Sequence, residues 1–263
     1  MEKFLYSLSS RHFREVFITK LVFNLKSETS KTYLGYLWWL VEPMLFVAAL
    51  YLVFGRFLQI RTEDFMLFLV CGMIPFMWFS KSVSKSSRSI VAGKGLIGQV
   101  AIPKAFFPLL AVSQDLVKQL FVFIAMLVFV LAMGNGMTIH WLGLAPIIMV
   151  QFGLIVAVAL FVSSIVPVFP DFKILIGTVL TILMWGSGIF YDYEAVLKPE
   201  HRAIFQMNPM ANLIKNYRDV LIHGQFPDWS ALLAIAMFSI VLTVVMLLIF
   251  RRYDSTYARL VIQ

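Results

Sequence analysis

The stretch Ala231–Phe250, ALLAIAMFSIVLTVVMLLIF, runs for twenty residues without a charge and is followed at once by Arg251 and Arg252. A helix of that length, at about 1.5 Å per residue, covers about 30 Å of hydrocarbon, and only a structure that satisfies its own backbone hydrogen bonds can cross it. The segment therefore reads as a membrane-spanning helix stopped by two arginines at a headgroup surface. Working outward from it, the same test finds spans near Leu37–Phe57, Phe65–Phe79, Leu109–Met133, Trp141–Val166 and Ile174–Phe190. The second of these is short, and Pro75 marks it for a tilt or a break.

Composition agrees. Of 263 residues, 60% are hydrophobic and 14% charged, where soluble domains carry roughly a quarter charged. The net charge of +8 is dispersed between apolar runs instead of forming a stripe, which suits anionic lipid headgroups and not nucleic acid. The single cysteine, Cys71, lies inside an apolar run and can form no intramolecular disulfide. The first long run begins near residue 37, too late and too long for a cleavable signal peptide, so the first span is expected to stay in the mature protein.

If both ends lie in the cytoplasm, fifteen Lys and Arg fall on inner segments and six on outer ones, with Lys118 beside a span. That excess orients the chain by the positive-inside rule. The expected fold is all-α integral membrane: six transmembrane helices, an N-terminal amphipathic interfacial helix, and a pair of short re-entrant external helices. One transmembrane domain then covers 1–263, with residues 1–34 amphipathic, 37–250 carrying the spans and 251–263 a cytoplasmic tail.

The amphipathic segment shows Phe13, Phe17, Leu21 and Leu25 four apart, flanked by Arg11, Arg14, Lys20 and Lys26. The largest inner insertion, Lys81 to Pro108, is rich in Ser, Gly and Lys and is the natural dock for a cytoplasmic partner; a bare connector needs only a few residues. On the other side, Asn208, Pro209 and Gly224 mark the N-cap, first turn and end of a helix whose apolar positions recur every 3.6 residues. A shorter helix is expected over Pro199 to Met207, so the two can dip into the membrane and return.

Chemistry is sparse. No G-x-x-x-x-G-K-[ST] phosphate loop exists; Gly93-Lys94-Gly95 lacks the earlier glycine and the following hydroxyl. Paired Cys or His spacing and H-E-x-x-H are missing too, so no metal or catalytic site is expected. Ionisable residues near spans are few: Glu42 beside Pro43, and Asp115 with Lys118 one turn on, close enough to neutralise one another. The forty aromatics cluster at span ends, a pattern suited both to an interfacial belt and to a passage for sugars, whose rings stack on aromatic faces.

Four strings carry a resemblance. Leu34-Gly35-Tyr36-Leu37-Trp38 through Glu42-Pro43, Gly72-Met73-Ile74-Pro75-Phe76, Phe169-Pro170-Asp171-Phe172, and Asn208-Pro209-Met210 followed by Tyr217-Arg218 resemble, in order and depth, the motifs of the membrane permeases of bacterial polysaccharide ABC exporters, the capsule and O-antigen type. The doubled Trp38-Trp39 and the basic stretch from Lys81 to Arg88 depart from the common pattern. The resemblance implies a homodimeric transporter subunit in the bacterial inner membrane, not an enzyme, with two nucleotide-binding ATPase subunits that carry ATP and Mg. Its implied cargo is a lipid-linked polysaccharide; teichoic acid, or another lipid or drug, is the alternative, and an integral-membrane glycan-assembly enzyme a more distant one.

By the same resemblance, Ser86, Arg88, Ser89, Ile90, Gly95, Leu96 and Ile97 are expected to couple to the ATPase, with Asp171 and Lys173 a smaller contact. Tyr36, Trp38, Trp39, Glu42, Phe76, Trp78, Trp185, Phe190 and Tyr191 are expected along the substrate passage. Asn208, Pro209, Tyr217 and Arg218 are expected at the external gate.

Overall fold

The computed structural model describes residues 11–57, 64–100, 102–196 and 198–262, all of its regular structure helical. The first ten residues of the amphipathic segment, and Arg61 of the charge count, lie outside the described residues.

Helix α1 (Arg11–Thr29) is the amphipathic helix. Its Phe13 and Phe17 rings meet the Phe106 ring edge-on at 5.5 and 5.6 Å, while Ile18, Val22 and Phe23 face outward. The helix ends where the Thr29 hydroxyl donates back to the carbonyls of Leu25 and Lys26, the backbone competition by which threonine breaks helices. A 3-10 turn then leads into α2 (Trp38–Leu50), whose last turns widen over Tyr51–Phe57.

Helix α3 (Phe65–Ser87) is the centre of the bundle and the most buried span. It corrects the expected break at Pro75. The helix is continuous for 23 residues, and the Pro75 carbonyl accepts from the buried Gln151 Nε2 at 2.8 Å, which ties this turn of α3 to α7. The same helix carries on past Phe79, so residues expected in a loop, Lys81 to Ser87, are its last two turns. Two short helices follow, α4 (Ser89–Ala92) and α5 (Lys94–Ile97), and then α6 (Phe106–Ala132) and α7 (Leu144–Ile165).

Among the described residues, five helical stretches are long and apolar enough to cross a membrane: Gly35–Phe57, α3, α6, Ile139–Ile165 and Trp229–Val261. The stretch expected as the fifth span is shorter than its sequence suggested. Helix α8 (Phe172–Trp185) has 14 residues, about 21 Å of rise, and residues 186–192 turn away from it. Two small helices, α9 (Tyr193–Val196) and α10 (Pro199–Gln206), precede α11 (Pro209–Leu221) and the long α12 (Trp229–Ile262), which kinks at Tyr253.

Two clusters form the core. The larger joins α3, α6, α7 and α11. The smaller gathers Ile90, Ile97, Phe106, Phe107, Phe250, Tyr257 and Val261, with α1 packed against it. The chain's first described helix, the α4–α5 turn and the end of α12 are therefore on one side of the bundle, called here the basic side. The tail expected after residue 250 is helical and part of this cluster.

Candidate functional site

At the basic side, α4 and α5 are short because Gly93 separates them and the backbone must pass close to an aromatic ring: a Cβ on Gly93 would sit 2.2 Å from Phe107. The expected coupling residues divide by burial. Ile90 and Ile97 are anchors in the smaller cluster, and Ser86 is wholly buried, whereas Arg88 and Gly95 face outward and Leu96 is half-buried. Apolar anchors beneath a polar outer face give a rigid protrusion. Asp171 and Lys173 are exposed at the start of α8, on the same turn as Phe169 and Phe172.

An open cavity of about 1210 Å³ lies behind that protrusion. Its wall comes from faces of four helices, Lys20, Asn24 and Glu28 of α1, Trp39 and Glu42 of α2, Trp78, Lys81 and Lys85 of α3, and Gln114, Asp115, Lys118 and Gln119 of α6, together with the α4–α5 segment, whose Arg88, Ser89, Gly95 and Leu96 border it. The three- and four-residue spacings are those of residues on one helical face. Across the cavity Lys81 meets Glu42 at 2.8 Å and Lys85 meets Asp115 at 2.9 Å, while Lys118 pairs with Glu28 and stands 3.6 Å from Asp115. Asp115 and Lys118, expected to neutralise one another, each find a closer partner on another helix.

The expected passage aromatics separate as well. Phe76, Trp78 and Phe190 are core residues; Tyr36, Trp38 and Trp185 are exposed, and Trp39 and Tyr191 are half-buried. Glu42 is exposed and ion-paired. Trp39 stands edge-on to Tyr36 at 5.0 Å and has the Lys118 ammonium 5.8 Å from its ring centre. Helices α2 and α8 are the least covered: only Pro43 and Val47 of one, and Leu180 of the other, are buried.

On the opposite side, Asn208 caps α11 as expected, accepting from the N–H of Met210 and Ala211, with Pro209 in the first turn and Gly224 at φ +59 beyond the end. The Asn208 amide also donates to the Gly186 carbonyl. Tyr217 and Arg218 are both buried within the chain. Arg218 is buried and donates to the Gly188 carbonyl at 2.8 Å, to Ile189 at 3.1 Å and to Phe68 at 3.2 Å, with its guanidinium 3.3 Å from the Phe68 ring centre. Gly188, at φ +66, turns the chain so that two successive carbonyls point at the arginine. Five donors in a planar fork can satisfy several carbonyls at once, which lysine cannot. The Tyr217 hydroxyl donates to Gln151 Oε1 at 2.8 Å, and Gln151 in turn donates to the Pro75 carbonyl. Helix α11 is thus clasped to the first turn and to the middle of α3.

Sequence reasoning missed Gln151, Gln114, Gln119, Lys81 and Lys85 as site residues. The lysines carried a signal in their shared helical face, but their partners are up to 39 residues away, and Gln151 stands alone in an apolar run. Among the described residues, no group of three His, Cys, Asp or Glu side chains is placed to hold a metal ion.

Apolar spans around a buried polar clasp, with a charged cavity open at one end, define a multi-pass membrane protein. The particular resemblance is to export permeases. The chain is 25% identical over 231 residues to the O-antigen export system permease protein RfbA of Myxococcus xanthus, covering 88% of this chain and 89% of the relative. It is 25% identical over 239 residues to the RfbA permease of Klebsiella pneumoniae, with 90% and 91% covered, and 24% identical over 242 residues to the polysialic acid transport protein KpsM of Escherichia coli, with 88% and 91% covered. No protein-family model matches the chain.

Proposed function

We propose that this chain is the transmembrane subunit of an ATP-driven exporter that moves a lipid-linked polysaccharide, of the O-antigen or capsule kind, across the bacterial inner membrane. One observation carries the reading: the similarity to O-antigen and polysialic acid export proteins runs along about nine-tenths of both chains, so it covers a whole architecture and not a shared motif. The chain is a transport subunit with no nucleotide chemistry of its own, and ATP and Mg belong to two ATPase subunits that dock on it.

Both termini are assigned to the cytoplasm. α1 and the end of α12 pack into one cluster, so the number of crossings between them is even, and α8 then counts as the sixth. A helix of about 21 Å crosses if the bilayer thins or neighbouring turns complete the path. The helices α10 and α11 form the re-entrant pair on the outer side. The uncovered apolar faces of α2 and α8 support a homodimer in which the second copy covers them and the passage runs between copies. The outward faces of α4 and α5, led by Arg88, receive the ATPase.

Export and ATP hydrolysis test this together. A strain lacking the chain should accumulate glycolipid in the cytoplasmic leaflet, and the tagged protein should copurify with a phosphate-loop ATPase. Replacing Arg88 and Leu96 should leave membrane insertion intact and hydrolysis uncoupled from export. Normal surface glycan in the deletion strain would sink the reading.

A further inference from the structure

Helices α3 and α6 run antiparallel, with Trp78 edge-on to Phe123 at 5.6 Å and Lys85 bonded to Asp115 at 2.9 Å. Between those contacts Ser82, one turn on from Trp78, falls level with Gln119, one turn before Phe123, and Ser86 falls level with Gln114 and Asp115. The unpaired polar groups follow this register. Among the described residues, the buried side-chain atoms without a hydrogen-bond partner are Trp78 Nε1, Ser82 Oγ, Ser86 Oγ, Gln114 Nε2, Asp115 Oδ2 and Gln119 Nε2, together with the distant His140 Nδ1. The first six thus lie along one seam about 12 Å long, on residues no more than 8% exposed.

Buried polar groups that stay unpaired are costly, so the seam calls for a ligand. A helical serine can turn its hydroxyl to the carbonyl one turn back, as Ser239 does to Ile235, but indole and amide N–H groups have no such recourse. The ligand must both donate and accept: Trp78, Gln114 and Gln119 present N–H donors, Asp115 an acceptor, and the hydroxyls either. A cation would meet the N–H groups, and an anion the carboxylate. Trp78, Gln114, Asp115 and Gln119 border the open cavity, while Ser82 and Ser86 are 0% exposed. The ligand therefore enters from the cavity and is small enough to pass between packed helices, which fits water.

The seam ends at aromatic rings. Trp78 is stacked on Phe152 at 6.4 Å and stands edge-on to Phe123, and Phe123 is stacked on Tyr217 at 5.9 Å. Beyond this layer Tyr217, Gln151 and the Pro75 carbonyl are already paired with one another. We propose that a file of waters entering from the cavity occupies the α3–α6 seam as far as Trp78, and that the Trp78–Phe123–Tyr217 ring layer seals it from the other half of the membrane. A file that ran the whole way would be a leak, and a dry ring layer stops it. The inference holds whatever the chain moves.

The test is hydroxyl-radical footprinting of the full-length protein in nanodiscs, which labels side chains in contact with water, bound water included. Trp78 and Tyr217 are 2 and 0% exposed. With each rate divided by the intrinsic reactivity of its ring, Trp78 should be labelled severalfold faster than Tyr217. The double change Ser82→Ala, Gln119→Leu should cut the Trp78 rate severalfold, and Phe123→Ala should raise the Tyr217 rate towards that of Trp78. Ser82→Ala alone serves if the double variant fails to fold. Equally slow labelling of Trp78 and Tyr217 overturns the file, since the serines and glutamines then pair across a dry seam. A Trp78 rate that ignores the seam variants also overturns it, because the cavity alone then wets the indole. Tyr217 left unlabelled in Phe123→Ala overturns the seal. Thermal unfolding adds a second measurement: the double change should lower the Tm by about 2–4 °C if the groups are hydrated, and a raised Tm, the result for groups buried dry and unpaired, counts against the file.

Discussion

The backbone N–H of Lys104 and its ammonium both close on Asp254, at 2.7 and 3.2 Å. This double contact ties the approach to α6 to the end of α12, 150 residues later, and the lysine is 7% exposed. Replacing Asp254 with alanine strands a buried ammonium and an N–H, a loss of about 2–4 kcal/mol. The expected result is a lower unfolding temperature in detergent and faster proteolysis after Phe250, with membrane insertion intact.

Arg218 ties its own helix α11 to two other segments, through the carbonyl of Phe68 and those of Gly188 and Ile189. Arg218→Met leaves the Gly188 and Ile189 carbonyls without the guanidinium, at about 1–3 kcal/mol each, while the Phe68 carbonyl keeps its ladder bond within α3. Arg218→Lys should recover little, since one ammonium cannot reproduce the planar fork. The monodisperse fraction on size exclusion measures both, and a native-like profile for Arg218→Met would refute the clasp.

Gly72 lies under that arginine: a Cβ there would stand 2.8 Å from Arg218 Nη2 and 3.5 Å from the Ile189 Cα. Gly72→Ala should cost about 1–3 kcal/mol by overpacking. Combined with Arg218→Met it should cost less than the sum of the two changes, because the clash is then gone. Thermal unfolding of the two single variants and the double variant closes the cycle.

Gly93→Ala places a methyl 2.2 Å from the Phe107 ring, so the ring or the α4–α5 turn must move. Since Ile90 and Ile97 anchor the turn beside that ring, the outer face should shift with it. The expected outcome is normal expression with weaker ATPase copurification, read by pull-down against Gly136→Ala, in the loop after α6, where a Cβ meets open space.

Asp228 starts α12 by accepting from the Ser230 hydroxyl at 2.6 Å and from the N–H groups of Ser230 and Ala231. The Ser230 hydroxyl first, then the backbone N–H of Ala231, hold its carboxyl below the ordinary value of 3.8. A depressed carboxylate stabilises above its unfolded value, and that contribution is lost as pH falls below about 4 through the folded value. Hydrogen exchange over residues 229–233 should accelerate in that window in wild type, and Asp228→Asn, which keeps an acceptor, should flatten the response.

Much of the architecture was legible because hydrocarbon imposes one rule on every span. Helices α6, α7 and α12 begin and end within a few residues of their apolar runs, except that α12 continues past Arg251 into the smaller cluster. The Asn208-Pro209 start of α11 was equally plain, since capping is local. Pro75 misled because what surrounds that turn, the Gln151 contact 76 residues away included, is set by packing and not by local sequence. Arg218 was found by motif, but its burial was not legible, because that depends on where Gly188 aims two carbonyls.

The sequence by itself determined that Ala231–Phe250 and four counterparts are long and apolar enough to cross a membrane, because the length and apolarity of a span are properties of contiguous residues. Which side chains meet between spans is a property of how helical faces are rotated and stacked. Only the tertiary structure decided that Glu42, Asp115 and Glu28 take lysines from other helices, and that one cavity gathers them. It also decided that Tyr217, Gln151 and Pro75 form one buried chain, since a polar group in a low-dielectric interior takes whichever partner the packing brings within reach.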